Sequence, residues 1–167
     1  MELWDAYDSN QNKLDFDLVR GEAIPDGAYH LVCDTVVRHT DGDYLIMQRD
    51  LNKSVYPGFY GVGAGGSVLK GESPLEGAVR ELAEESGIIV KPEDLTQIHL
   101  NISDKTQSIY YKYLCVTDCP KDSIILQEGE TIDYKWLSKE EFLAFMESDE
   151  AIDVERERLS DFLDTLR

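Results

Sequence analysis

Gly65–Ile88 reads GGSVLKGESPLEGAVRELAEESGI, and this stretch decides the fold. Ser73 followed by Pro74 predicts a helix start, with serine at the N-cap and proline at the first helical position, whose amide has no intrahelical partner. Gly87 predicts the helix end, where the chain turns left-handed. At about 100° per residue, Leu75, Ala78, Val79 and Leu82 share one face, which predicts packing on a sheet. Glu81, Glu84 and Glu85 lie at i, i+3 and i+4 and share a separate arc. Like charges so spaced repel, so a purely structural helix gains nothing from them. A divalent cation reverses the sign, because Mg²⁺ is commonly held by one or two carboxylates together with phosphate oxygens. Arg80 flanks the cluster, with Glu84 and Glu76 at i±4 and Glu72 further back as candidate partners that would hold the carboxylates in position. Gly65-Gly66 lets the backbone come close, so that a free carbonyl can join a metal shell.

Upstream, His30–Arg38 (HLVCDTVVR) is β-branched and largely apolar and predicts a strand. Thr40-Asp41-Gly42-Asp43 is a turn signal, and Tyr44–Gln48 (YLIMQ) predicts a second strand, making a hairpin. Tyr56-Pro57-Gly58 breaks the chain before Phe59–Val68, which is glycine-rich with short strand pieces. Residues 1–29 read as a polar, irregular extension with one short strand at Leu3–Tyr7. Downstream, Leu95–Ile102, Ser108–Val116 and Glu130–Leu137 predict strands. Ser138 with Glu141 forms a capping box for a helix through about Met146. A last helix is expected from about Asp153 to the end, with Leu159, Phe162, Leu163 and Leu166 as a core-facing stripe. Strands interrupted by one helix and followed by others predict an α/β (α+β) domain spanning 1–167, a mixed sheet sandwiched between helices.

The net charge is −18, and Lys139–Arg167 alone holds ten acids against four bases. Such a surface repels nucleic acid and anionic membranes, so neither is an expected partner; a small molecule is. The three cysteines, Cys33, Cys115 and Cys119, form no C-x-x-C pair, and Cys33 and Cys115 sit in apolar runs as core residues. The N-terminus shows neither a basic leader nor an apolar segment, and no apolar run approaches the ~18 residues of a membrane span. A cytoplasmic protein is the expectation.

The spacing Gly66, five residues, Glu72, seven residues, Arg80-Glu81-Leu82, one residue, Glu84-Glu85, one residue, Gly87-Ile88 resembles the Nudix box at every defining position. The resemblance implies the Nudix fold, an α/β/α sandwich, and hydrolysis of a nucleoside diphosphate linked to another moiety, with Mg²⁺ or Mn²⁺. It implies Glu81 and Glu85 as principal metal ligands, Glu84 as a third, and the Gly65 carbonyl as a further one. Arg80 and Glu72 would organise the loop and helix, with Gly66 and Gly87 as structural positions. The general base of Nudix enzymes often lies outside the box. Glu130, six residues before Trp136 at a strand start, is the candidate, with Glu128 as fallback and Glu84 as the alternative inside the box. Arg49 and Lys53 are candidates for a distal phosphate. Tyr56, Phe59 and Tyr60 are candidates for stacking on a base or ribose, or for the core. Many relatives dimerise, so a homodimer is a further expectation.

The wider chain is similar to the Nudix branch that includes isopentenyl-diphosphate isomerase, through YDSNQNKL, HLVCDTVV, YLIMQRDLNKSVYPGFYGVGAGG and ETIDYKWL in that order. That isomerase uses a cysteine where this chain has Gly65, and a histidine-rich metal site where it has only His30, His39 and His99. A glycine cannot replace a thiol acid/base. The complete Arg80–Glu85 motif favours the hydrolase. A non-catalytic nucleotide-binding module on the same fold would be expected to lack box glutamates, and none is missing here.

Overall fold

Strand β3 (His30–His39) organises the molecule, described here from a computed structural model covering residues 1–167. Its apolar residues fall on both faces, Leu31, Cys33 and Val37 on one and Val36 on the other, so both become buried. Along one edge it runs parallel to β8 (Ser108–Thr117), from His30 opposite Ser108 to His39 opposite Thr117. β7 (Leu95–Ser103) lies antiparallel beyond β8. On its other edge β3 meets β6 (Ala64–Ser67) across Val32–Thr35, and β4 (Tyr44–Arg49) at the single pair Arg38–Tyr44. The expected β3–β4 hairpin therefore closes only at its turn. β4 then departs to pair with β5 (Tyr60–Val62) and β9 (Thr131–Leu137). The chain crosses from β5 to β6 at Gly63, where φ is 66° and an added Cβ would lie 1.7 Å from the Thr35 carbonyl oxygen; only glycine fits.

Helix α1 (Pro74–Ser86) starts in a full Ser73–Glu76 capping box and ends at Gly87, with φ 75°. Its Ala78 and Leu82 pack on one face of the sheet with Leu31, Cys33, Leu45, Met47 and Ile109. The opposite face carries Val36, Tyr44, Ile46 and Val62. It is covered by α2 (Lys139–Glu147), which brings Phe142 and Met146, and by the C-terminal helices. Neighbours in β4 thus point to opposite layers, the signature of a sheet between helices. The expected single last helix is broken into α3 (Asp153–Arg158) and α4 (Ser160–Leu166) at Leu159, whose φ/ψ of −99°/2° leaves the helix. The break lets Arg156 donate to the Ser148 carbonyl at 2.7 Å, holding α3 on the end of α2, while Leu159, Phe162 and Leu163 still enter the core.

Residues 1–29 hold a second strand beyond the expected one. β1 (Leu3–Tyr7) pairs antiparallel with β2 (Lys13–Val19), where Leu14, Phe16 and Leu18 alternate with charged residues. This hairpin braces the loop before α1. The Lys70 amide donates to the Leu3 carbonyl at 2.9 Å, and the Gly71 amide to Asp5 Oδ2 at 2.9 Å. Trp4 stacks on His30 with ring centroids 4.3 Å apart. The cysteines are free, with Cys33 and Cys115 buried. No helix is long and apolar enough to cross a membrane.

Candidate active site

Two glycines of β6 let α1 approach. A Cβ on Gly66 would lie 2.5 Å from Glu81 Oε1, and one on Gly65 would lie 2.2 Å from Asp34 Oδ1 and 2.5 Å from the Cys33 carbonyl. Every larger residue would push the glutamate or the strand away. In the space so kept, the Gly65 amide donates to Glu85 Oε2 at 3.1 Å.

Arg80 is the hub of the site. It grips Glu72 with two parallel hydrogen bonds and donates to Glu81 Oε1 at 2.7 Å, to Glu84 Oε2 at 3.2 Å and to the Ser67 carbonyl at 3.0 Å. Glu76 is not a partner, because its carboxylate accepts the Ser73 amide at 2.7 Å in the helix cap. Burial works against the charge of Glu72, but its bonds from Arg80 and the Leu69 amide outweigh this and hold its pKa below the usual value. For Glu81, burial prevails over the Arg80 bond and raises the pKa, with Glu84 and Glu130 adding repulsion. Glu85 is pushed up to about 8, by burial first and then by Glu81, Glu130 and Asp34; the Gly65 amide offsets this only in part.

The three helix glutamates, read from the sequence as one arc, are thus divided. Glu81 and Glu85 turn inward, while Glu84 stays at the rim with 46% of its side chain exposed. No three Asp, Glu, His or Cys side chains stand together at metal-ligating spacing. Arg80 takes up Glu81 and Glu84, and the backbone amide takes up Glu85. The donors that remain are hard oxygens, and a partly buried carboxylate without an ion pair, Glu85, suits a divalent cation.

Glu81, Glu84 and Glu85 face a cavity of about 490 Å³ that Arg49, Lys53 and Glu130 also line. Lys53 and Glu130, predicted separately, form an ion pair with each other. Glu128 is exposed and off this cavity. Phe59 also lies off it, packed edge-on against Tyr56 at 5.6 Å, and the Tyr60 hydroxyl donates to Asp133 at 2.6 Å. Five lining residues escaped the sequence reading: Ser67 and Leu69 in the stretch before α1, Gln127, and Glu2 with Arg20, joined at 3.0 Å and carried to the rim by the N-terminal hairpin.

Across the sheet lies a larger cleft of about 830 Å³, also reached by Arg49. Its floor includes Asp34, Asn101 and Glu155. Beneath it, Lys112 is 1% exposed with Nζ 3.4 Å from Asp34 Oδ2. Glu155 accepts the Val62 amide at 3.0 Å, and burial raises its pKa against the pull of Lys112. The available signal was a lone charge inside each apolar run, HLVCDTVV and SIYYKYLCV.

A mixed sheet between helix layers, with a double-glycine strand set against a glutamate-bearing helix, is the architecture of a Nudix-class domain. Residues 28–157 match the family model for the NUDIX domain. The chain belongs to the Nudix family and is a pyrophosphohydrolase of it. It is 32% identical over 153 residues to an uncharacterized Nudix hydrolase of Listeria monocytogenes, covering 91% of this chain and 89% of that one. It is 28% identical over 116 residues to an isopentenyl-diphosphate Delta-isomerase of Corynebacterium diphtheriae, covering 65% of this chain and 62% of that one. Its fold matches a crystal structure of a Deinococcus radiodurans protein with a TM-score of 0.70, at 22% identity, over 99% of this chain and 98% of that one.

Proposed function

We propose that the enzyme hydrolyses a pyrophosphate bond in a nucleoside diphosphate linked to another moiety, with Mg²⁺ or Mn²⁺ held by Glu81 and Glu85. Glu84 and the Gly65 carbonyl complete the donor set. Glu85 carries the reading: a partly buried carboxylate facing the cavity, with one amide partner, no ion pair and a pKa raised to about 8. Burying a charge costs several kcal/mol unless a partner offsets it, on the order of the ion-burial penalty. A divalent ion, when bound, neutralises charge on phosphoryl oxygens and acidifies a water.

The chain's own groups do the rest. Arg80 holds Glu81 toward the cavity and ties the preceding loop through Glu72. Arg49 and Lys53 meet phosphate oxygens. Glu130 accepts the proton of the attacking water, with Glu84 the alternative base. The isomerase reading is disfavoured by Gly65, since the Cβ of a cysteine there would collide with Asp34 and the Cys33 carbonyl. The three histidines are also dispersed: His30 under Trp4, His39 beside Asp41 at 2.9 Å, and His99 in the larger cleft.

The test is a panel of nucleotide sugars, ADP-ribose and nucleoside di- and triphosphates with Mg²⁺, read as phosphate released after phosphatase treatment. Wild type should turn over at least one substrate, and Glu85→Gln should lose about 100-fold or more. Equal rates in the two would sink the metal assignment. Turnover of isopentenyl diphosphate with no nucleotide hydrolysis would restore the isomerase.

A further inference from the structure

Lys53 and Glu130 have separate tasks in the chemistry, yet in the free protein each occupies the other. The Lys53 ammonium and the Glu130 carboxylate form an ion pair on the wall of the glutamate cavity, with 21% and 35% of their side chains exposed. An ammonium so engaged is not open to a phosphate, and a carboxylate so engaged is not open to a water's proton. The backbones that carry them are fixed. The Asp50 amide donates to the Glu130 carbonyl at 2.9 Å, the Lys53 amide to the Asp50 carbonyl at 3.1 Å, and the Glu130 amide to the Gln127 carbonyl at 3.1 Å. Only the side chains are left to part, and the long flexible stem of a lysine lets it swing.

We infer that this pair is a substrate-responsive latch: a phosphate entering the cavity takes Lys53, and the parting releases Glu130 to the attacking water. Only the task of Glu130 rests on the proposed hydrolysis; the exchange of partners stands apart from it. The balance of strengths sets the direction. An ion pair this open to water is among the weak ones. A phosphate carries more negative charge than a carboxylate, so the ammonium gains by changing partner, and the phosphate repels the carboxylate it displaces. Arg80 cannot respond in the same way, because its donors are committed to Glu72, Glu81, Glu84 and the Ser67 carbonyl. The released carboxylate has somewhere to turn. Glu130 also borders a narrow passage of about 70 Å³ beside Glu85. Thr131 Oγ1 borders that passage as well and is buried without a partner, a hydroxyl that can donate to the turned carboxylate. The base thus becomes available only when a phosphate is present.

Calorimetric titration of methylenediphosphonate with Mg²⁺ reads the exchange without turnover, since water does not cleave its P–C–P link. Glu130→Gln removes the competitor for Lys53 and should tighten binding by about threefold. Removing any nearby negative charge also favours an anion. Glu2→Gln is therefore the control, because Glu2 lines the same cavity but pairs with Arg20. In a Lys53→Met background the tightening from Glu130→Gln should vanish, while that from Glu2→Gln should persist. Lys53→Gln takes the place of Lys53→Met if the latter fails to fold. Wild type that binds no probe, an absent tightening, or one that survives the loss of Lys53 overturns the latch. In steady-state kinetics Lys53→Met should raise KM by about tenfold and spare kcat. A kcat loss of about tenfold or more would show that the lysine positions the base rather than yielding it, and overturns the latch too. Coupling of Lys53 to Glu130 without hydrolysis of any panel compound would leave the latch standing and sink the catalytic reading.

Discussion

Arg80 and Glu72 are locked by a fork, Nε to Oε1 at 2.8 Å and Nη2 to Oε2 at 3.1 Å, eight residues apart across the loop that begins α1. Lysine is a point charge and cannot form two parallel bonds while also reaching Ser67 and Glu81. Arg80→Lys is therefore expected to fold with a lowered melting temperature and to lose about 10–100-fold in kcat. Thermal melts beside steady-state kinetics check this. Unchanged kcat would mean that the fork positions nothing.

Glu85 makes stability depend on pH in a stated direction. Its pKa rises from the ordinary 4.5 to about 8 on folding, so the folded state binds the proton more tightly. That contribution is fully present below about pH 4.5 and is lost as pH rises through about 8. Metal-free protein should thus lose melting temperature across this window, and Glu85→Gln should flatten the loss. Millimolar Mg²⁺ should restore stability most at the alkaline end. A metal effect as large at the acid end would contradict the account.

Glu130, proposed as the proton acceptor, is paired with Lys53. Glu130→Gln should lower kcat by about 10²–10⁴-fold, while the melting temperature stays near wild type. A small loss in kcat would move the role to Glu84.

Lys112 is the buried cation beside the partly buried carboxylates Asp34 and Glu155. Lys112→Met removes that cation from both and should destabilise by about 1–3 kcal/mol, the usual cost of leaving a charged partner unsatisfied. Adding Glu155→Gln should recover part of that, because the two sites share one interaction. Denaturant titration of the double-mutant cycle measures it. Strict additivity would show that the charges do not interact.

Gly65→Cys installs the residue that the related isomerase chemistry uses. With Asp34 Oδ1 at 2.2 Å from the new Cβ, it should destabilise the protein and lower hydrolysis without producing isomerase activity. Assays with isopentenyl diphosphate and with a nucleotide substrate read both. A stable, isomerising variant would refute the steric reading of this position.

Some of this was legible in the chain before folding. Ser73, Pro74 and Gly87 bounded α1 because caps act within one turn. The β-branched, largely apolar run HLVCDTVVR and the glutamate spacing gave strand and arc for the same reason. The hairpin strand at Lys13–Val19 carried a readable alternation, but its Phe16 stays 44% exposed, so the pattern marks only a half-buried ribbon. The bend at Leu159 left no local mark, since helix-forming residues surround it.

From its own residues the sequence determined the strands, the capped helix and the set of acidic groups that could serve chemistry, because propensity and spacing are local. Only the tertiary structure decided which of them matter and how. It turned Glu85 inward and left Glu84 at the rim, gave Arg80 to Glu72 rather than Glu76, and brought Lys53 to Glu130 across 77 positions. It also set Asp34 beside Lys112 under a cleft that no short stretch announces. Desolvation and pairing energies depend on what the rest of the chain packs around a group, and that is settled only when distant strands meet.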